Sequence, residues 1–163
     1  MPSRIYHYHM KPSIMQDGAL YRKAGGAYIL ILELQRSIEL QAGSLGLFHL
    51  KKGYYLYIGS AKRGLPGRVE RHKRLARLKR GPTRWHIDSF LKNPHVVLKK
   101  ALTLPNASEC GTSKVIAQRA GSEVPVPGFG ASDCRSGCPA HLYRVTADFQ
   151  KNLLNILKNN NLG

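Results

Sequence analysis

Acidic residues are scarce in this sequence. Over 163 residues there are 9 Asp and Glu against 26 Lys and Arg, which gives a formal net charge of +17 at pH 7. This imbalance argues against a cationic partner and favours a polyanionic one, with nucleic acid ahead of an anionic membrane surface. Because carboxylates are so few, each one that falls near a motif is a candidate for a specific role.

Long apolar runs and cysteines are also few. No run of roughly 18 apolar residues is present, which excludes a membrane-spanning helix, and the amino terminus lacks the apolar core of a secretory signal. The 3 cysteines are an odd number and do not make a disulfide framework, so a reducing, intracellular setting is expected. We therefore expect a cytoplasmic protein without a membrane partner, and nucleoid association would fit its charge.

The length leaves room for one domain with a substantial core. We expect an N-terminal extension over residues 1–23, the domain itself over residues 24–145, and a C-terminal helix and tail over residues 146–163. In the extension, His7 and His9 alternate with tyrosines, which is typical of an edge strand. A metal site at these two histidines is the less favoured alternative.

Apolar and β-branched runs predict strands at residues 27–34, 37–40, 45–50, 54–58, 96–104 and 142–145. The first is almost entirely apolar and is expected to be central, with the strand of Tyr57 beside it. Gly43-Ser44 is a turn, so the second and third strands form a hairpin that would extend the sheet.

Helices are predicted from about residue 68 to the stop signal Gly81-Pro82 and at residues 85–91, 108–119 and 149–157. In the second helix Trp85, Phe90 and Leu91 would be core residues. The elements together predict an α/β fold of the α+β type. We expect a small antiparallel sheet flanked by helices, with an extra hairpin.

Residues 53–72 are the stretch around which the other segments can be placed. An aromatic strand ends in the small residues Gly59-Ser60-Ala61, and a basic loop leads into a helix. On that helix Arg68 and His72 are four residues apart and project from one face. A convergent Arg and His beyond a glycine-rich strand end suit the binding of a phosphate, although spacing alone favours a solvated basic helix.

The tripeptides Gly26-Ala27-Tyr28 and Tyr57-Ile58-Gly59 occur in this order, and Arg68, His72 and Glu109 follow them. In this arrangement the chain resembles the GIY-YIG endonuclease superfamily. It is similar in particular to a branch of unassigned function that also occurs fused to endonuclease III-type glycosylases. The similarity covers roughly residues 24–145 and is carried by residues 26–34, 53–61, 68–72, 85–88, 109–110 and 128–134.

The resemblance implies a site that hydrolyses phosphodiester bonds. Tyr28 would be the general base or would orient the attacking water, which demands a lowered pKa. Arg68 would stabilise the developing negative charge, and Glu109 would hold one Mg2+ or Mn2+ ion. The other expected site residues are Tyr57, which lines the pocket; His72, which bonds the phosphate or transfers protons; and His86, which faces the same cleft.

Three of these assignments have alternatives in the sequence. Glu109 falls in the first turn of a helix that Ser108 caps, where an acid also complements the helix dipole. His86 is equally consistent with a core or capping histidine. The superfamily's polar residue on its last helix has no secure match here, and Asp133 is only a candidate for it.

A dense set of cations surrounds the Arg68–His72 helix. Next to a duplex they would neutralise phosphates and make binding steeply salt-dependent; the alternative is a solvated face. The residues expected to bind nucleic acid are Lys62, Arg63, Arg71, Lys73, Arg74, Arg77, Lys79, Arg80 and Arg84. We expect DNA rather than RNA, but no base-recognition motif decides between them. A partner glycosylase is implied by family association alone.

Cys134, Cys138 and His141 have the kinds of side chain that bind zinc, with Cys110 or His86 as a fourth ligand. The set is incomplete as a signature, so the sequence alone favours cysteines without a metal over a structural Zn2+ site.

These observations favour a divalent-metal-dependent DNA endonuclease, with a role in nicking or repair. A non-catalytic basic nucleic-acid-binding module is the alternative, and an RNA-directed or ribosome-associated protein is a third. The set of Tyr28, Tyr57, Arg68, His72 and Glu109 argues against a simple binding module, because such a module would not need the carboxylate.

Overall fold

The protein forms a six-stranded sheet with helices on both faces. Its structure is a computed structural model that describes residues 23–162 and the backbone of residues 7–9. The sheet order is β1-β6-β2-β5-β8-β7, in which β1 runs parallel to β6 and the other pairs are antiparallel. Its strands are β1 (His7–His9), β2 (Gly26–Leu34), β5 (Gly53–Ala61), β6 (Val96–Pro105), β7 (Ser122–Glu123) and β8 (Leu142–Val145).

The strand β2 lies at the centre because both of its faces are apolar. Ala27 and Ile29 belong to one core, and Leu30 and Leu32 belong to the other. Alternate side chains of a strand point to opposite faces, so such a strand is stable only when both faces are covered. The predicted α+β fold, with β2 central, β5 beside it and β8 added beyond β5, is confirmed.

Four α-helices lie within the described residues, two on each side of the sheet. The first core packs α1 (Leu65–Leu78) and α2 (His86–Lys92) against the face that carries Tyr28. The second core packs α3 (Glu109–Ala117) and α4 (Ala147–Asn159) against the opposite face. The predicted C-terminal amphipathic helix is therefore present and packs on the sheet.

The hairpin of β3 (Ile38–Gln41) and β4 (Leu47–Leu50) is present, but the prediction that it extends the main sheet is wrong. It forms a separate two-stranded sheet. Both edges of β2 are occupied by β5 and β6, and the free edge of β5 is taken by β8. The hairpin instead buries Leu40 and Leu50 in the first core.

Two predicted details of the helices also need correction. Helix α1 ends at Leu78, before Gly81-Pro82, because Lys79 adopts a left-handed conformation and its Nζ donates to the carbonyl oxygens of Leu91 and Val96. Trp85 is not a core residue: it precedes α2 and is 36% exposed. None of the helices in the described part of the chain is long and apolar enough to cross a membrane.

Candidate active site and metal centre

Tyr28 and Tyr57 meet because their strands are antiparallel neighbours. Tyr28 lies opposite Gly59, and Tyr57 lies opposite Leu30, so both phenol rings project from the same face with their centroids 6.2 Å apart. A Cβ atom at Gly59 would overlap the Cζ and hydroxyl of Tyr28. The glycine of the second tripeptide thus makes room for the tyrosine of the first, which is a physical reason for the two to occur together.

His72 reaches this pair from α1. Its Nε2 lies 2.7 Å from the Tyr28 hydroxyl, and the imidazole is completely buried. Burial lowers the pKa of His72 to about 4, so the ring is neutral near pH 7. Its Nδ1 faces Asp88 Oδ1 at 3.8 Å, which favours a proton on Nδ1. In that tautomer Nε2 accepts the hydroxyl proton of Tyr28.

Asp88 anchors the far side of His72. The carboxylate is fully buried and accepts a two-pronged hydrogen bond from Arg71 at 3.0 and 2.8 Å, as well as the backbone N–H groups of Arg84 and Trp85. Burial alone would raise its pKa, but these hydrogen bonds outweigh burial and lower it. Asp88 therefore stays charged and orients His72.

The sequence alone assigns no role to Asp88. It belongs to a matched motif, residues 85–88, and it is the third residue of α2. An acid at the third position of a helix commonly bonds back to the residue that caps it. That signal predicts the bond from the backbone N–H of Trp85, but it predicts neither the bond from Arg84 nor Arg71 and His72 as partners.

The protein's own groups raise the pKa of Tyr28, contrary to the expectation of a lowered pKa. Burial raises the pKa of Tyr28, the neighbouring Tyr57 raises it further, and Arg68 offsets only part of this. Burial likewise raises the pKa of Tyr57. Tyr28 is therefore a neutral phenol that is hydrogen-bonded to a neutral imidazole.

Arg68 and Glu109 meet at Ser60, just beyond the end of the tyrosine pocket. Arg68 donates to the carbonyl oxygen of Ser60 at 3.3 Å, and the Ser60 hydroxyl donates to Glu109 Oε2 at 3.0 Å. Glu109 is the first residue of α3, and Ser108 caps that helix as predicted. Strands β2 and β5 and helices α1 and α3 thus bring the five matched residues together.

His86 lies at a neighbouring cavity of about 400 Å³ that Tyr57, Trp85 and Asp133 also line. Its Nδ1 accepts the backbone N–H of Gly130 at 3.2 Å. His86 therefore lines the same cavity as Tyr57, and the hydrogen bond from Gly130 holds its ring. Trp85 lies beneath two guanidinium groups, those of Arg68 and Arg71, at 4.6 and 4.7 Å from its ring centroid.

The predicted nucleic-acid-binding cations divide into two groups. Three are held within the protein: Arg71 by Asp88, Lys79 by two carbonyl oxygens, and Lys73 by Glu70. The others are exposed on or near α1: Lys62, Arg63, Arg74, Arg77, Arg80 and Arg84. Only the exposed group is free to contact a phosphate backbone without breaking an internal contact.

The three cysteines converge with His141. Cys110 Sγ lies 3.3 Å from Cys134 Sγ and 4.0 Å from His141 Nε2, and the donor atoms of these residues and Cys138 all lie within 4.8 Å of one another. Backbone N–H groups of Cys138 and Ser136 lower the pKa of the Cys134 thiol. The group could therefore hold a metal ion, with Cys110 rather than His86 in the fourth position.

Buried His72 is expected to make the protein acid-sensitive. The unfolded residue binds a proton below its ordinary pKa of 6.5, whereas the folded residue resists protonation down to about 4. The unfolded state binds more protons in this window, so the free energy of unfolding should decrease by about 3 kcal/mol as the pH falls through it. Urea titrations at several pH values should show this slope in the wild type and a flatter one in His72→Gln.

Any constant difference in stability between the two proteins is removed by aligning their curves above pH 7, where neither state binds this proton. Parallel curves down to pH 4 would contradict a buried neutral His72.

The fold and site define an α+β domain in which the adjacent side chains of Tyr28, His72 and Asp88 are buried beside a cysteine–histidine cluster. The chain belongs to the family described as Domain of unknown function DUF123, whose model matches residues 27–162. Searches of curated proteins and of solved structures returned no match.

Proposed function

We propose that this protein is a divalent-metal-dependent endonuclease of the GIY-YIG type that hydrolyses phosphodiester bonds in DNA. The observation that carries the proposal is the hydrogen bond between Tyr28 and His72, in a pocket that Tyr57 lines and that Arg68 and Glu109 border. These five residues are separated by up to 81 positions in the sequence and come from four elements. The motifs and the geometry therefore support the same site.

Tyr28 acts as a proton relay in this proposal. Hydrolysis needs a base that takes a proton from the attacking water. Because burial raises the pKa of Tyr28, its hydroxyl is protonated before the reaction begins. Its oxygen accepts a proton from water while its own proton moves to His72 Nε2, 2.7 Å away. The resulting imidazolium is stabilised by the charged Asp88 beside Nδ1.

Arg68 supplies fixed positive charge for the phosphorane oxygens. Its guanidinium is held by the Ser60 carbonyl and by the face of Trp85. A planar guanidinium donates two parallel hydrogen bonds and stays charged at any working pH. A preorganised donor of this kind typically contributes about 10²-fold in rate.

Glu109 is the residue that would hold one Mg2+ or Mn2+ ion. Its side chain is 29% exposed, and among the described residues no Lys or Arg forms an ion pair with it. One carboxylate with access to solvent suits a hard cation that keeps most of its waters. When bound, such an ion stabilises charge on the leaving oxygen.

The cysteine–histidine group is proposed to bind Zn2+. Tetrahedral zinc with three sulfur ligands and one nitrogen ligand has donor atoms roughly 3.5–3.8 Å apart, from metal–ligand distances of about 2.3 and 2.0 Å. The observed 3.3 and 4.0 Å separations bracket these values. A closed set of four protein ligands indicates a structural site rather than a catalytic one.

DNA is the proposed substrate because of the net charge of +17 and the exposed cations on and near α1. A cytoplasmic protein associated with the nucleoid, with a role in repair beside a glycosylase, would fit this substrate. Binding to phosphates should weaken steeply with added salt.

The test is cleavage of supercoiled plasmid in Mg2+, Mn2+ or EDTA. The wild type should nick the plasmid only with a divalent ion, and both Arg68→Ala and Glu109→Ala should nick about 10²-fold more slowly. Arg77→Ala, which removes an exposed cation of α1 outside the pocket, is the matched control and should alter binding more than turnover. Gel shifts on the same DNA separate the two effects.

Equal DNA binding by all these proteins without nicking of plasmid, branched or damaged DNA would contradict the nuclease and favour the binding module. Cleavage of RNA alone would retain the chemistry and change the substrate.

A further inference from the structure

We infer that Glu109 is shared by two metal centres: it is the hydrogen-bond acceptor of the zinc ligand His141, and through that contact the zinc centre positions the carboxylate that holds the catalytic cation. The second half of this inference rests on the proposed nuclease function. The first half rests on the proposed zinc site and on the contact between His141 and Glu109, and it does not depend on nuclease activity.

The first argument concerns His141. Its imidazole is 2% exposed, and its Nδ1 is buried without a hydrogen-bond partner in the part of the chain that the structure describes. Glu109 Oε1 lies 3.5 Å from that nitrogen. If Nε2 binds a metal, the ring proton must sit on Nδ1, and a buried N–H requires an acceptor. The carboxylate of Glu109 is placed to be that acceptor.

The second argument concerns the chain around Glu109. Cys110 follows it directly in the first turn of α3, so a metal bound by Cys110 would also fix the backbone of Glu109. Its other oxygen, Oε2, accepts the hydroxyl of Ser60. The carboxylate of Glu109 thus contacts His141 of the cysteine–histidine group through Oε1, and it accepts the hydroxyl of Ser60, beside the tyrosine pocket, through Oε2.

The third argument concerns how His141 joins the tyrosine pocket. The carbonyl oxygen of His141 accepts the N–H of Ile58, the residue between Tyr57 and Gly59. Its N–H donates to the carbonyl oxygen of Phe129 at 2.7 Å. His141 is therefore tied by backbone bonds to the strand that carries Tyr57.

A carboxylate that bonds the distal nitrogen of a metal-bound histidine makes the ring a better ligand and fixes its orientation. Loss of such a partner typically weakens metal affinity by about 10- to 100-fold. The contact should act in both directions: Glu109 strengthens zinc binding, and zinc-bound His141 holds Glu109 in place.

The first experiment measures zinc affinity by competition with a chromophoric chelator under reducing conditions. The wild type should bind one Zn2+, and Glu109→Gln should bind it about 10-fold or more weakly. Glu39→Gln removes the same charge from an exposed position on the hairpin and should match the wild type. No zinc binding by the wild type, or equal affinity in Glu109→Gln, would overturn the inference.

The second experiment uses His141→Cys, which offers a fourth thiolate in place of the imidazole. Four-cysteine zinc sites are common, so this variant should keep one Zn2+ and its fold, but it has no Nδ1 facing Glu109. Mn2+ binding, followed by the electron paramagnetic resonance of free Mn2+, should weaken about 10-fold. Wild-type Mn2+ affinity in the zinc-loaded variant would overturn the positioning role.

The two proposals can fail separately. If the wild type neither binds Mn2+ nor nicks DNA, the nuclease proposal and the shared role of Glu109 are wrong. A weaker zinc site in Glu109→Gln would then still support the contact between Glu109 and His141.

Discussion

Tyr28→Phe is expected to slow plasmid cleavage by about 10³-fold or more while the protein remains folded. The substitution removes one oxygen and leaves the ring that packs in the first core. That oxygen is the atom bonded to His72 Nε2, so the proton relay is broken at its first step. General acid–base groups contribute about 10²- to 10⁴-fold in rate, and this one also orients the water.

Tyr55→Phe is the matched control. Tyr55 lies on β5, is fully buried, and donates its hydroxyl proton to the carbonyl oxygen of Lys51, outside the pocket. It should lose some stability and retain cleavage per folded molecule. Circular dichroism and single-turnover rates should be compared for both variants. A Tyr28→Phe enzyme within 10-fold of the wild type would assign the proton transfer to another group.

The central strands were predictable because their signals are local, whereas the meeting of Tyr28 and Tyr57 was implied by the family resemblance alone. Strand β2 is apolar on both faces, and its neighbour β5 repeats that pattern around Tyr57. The spacing of Arg68 and His72 places both on one helical face whatever the rest of the fold does. Ser108 is a helix cap for an equally local reason, since its hydroxyl accepts the N–H of Gly111.

What could not be predicted depends on tertiary contacts. Trp85 has the size and apolarity of a core residue, yet it packs under Arg68 and Arg71 at the surface of the pocket. Whether the pKa of Tyr28 is raised or lowered depends mainly on how deeply the ring is buried, which no motif encodes. The hairpin lies apart from the main sheet, in which β2 is flanked by β5 and β6 and the second edge of β5 pairs with β8.

The metal ligands show the same limit. The spacing of Cys134, Cys138 and His141 leaves the fourth ligand open between Cys110 and His86. Packing decides between the two candidates: Cys110, the second residue of α3, lies beside His141, whereas His86 accepts a hydrogen bond from Gly130. The spacing alone is incomplete as a zinc signature and favours cysteines without a metal. The packing of α3 adds Cys110 and completes a four-residue group that could hold a metal ion.

Asp88→Ala is expected to lower the free energy of unfolding by about 3 kcal/mol. The carboxylate is fully buried and satisfies the guanidinium of Arg71 and the N–H groups of Arg84 and Trp85. Removing one partner of a buried ion pair typically costs about 3–5 kcal/mol, because the other charge stays buried. The Arg71 side chain retains 16% exposure, which places the expectation at the lower end.

Urea unfolding followed by circular dichroism measures this loss, and a double-mutant cycle with Arg71→Ala isolates the pair. The coupling should be about 2 kcal/mol, since the double variant leaves no buried guanidinium behind. The control is the surface pair of Glu123 and Arg144, whose side chains are 60% and 32% exposed. Glu123→Ala should cost less than about 1 kcal/mol. Equal losses in the free energy of unfolding for Asp88→Ala and Glu123→Ala would mean that Asp88 holds neither Arg71 nor the orientation of His72. The proton relay from Tyr28 to His72 would then lack its stabilising charge.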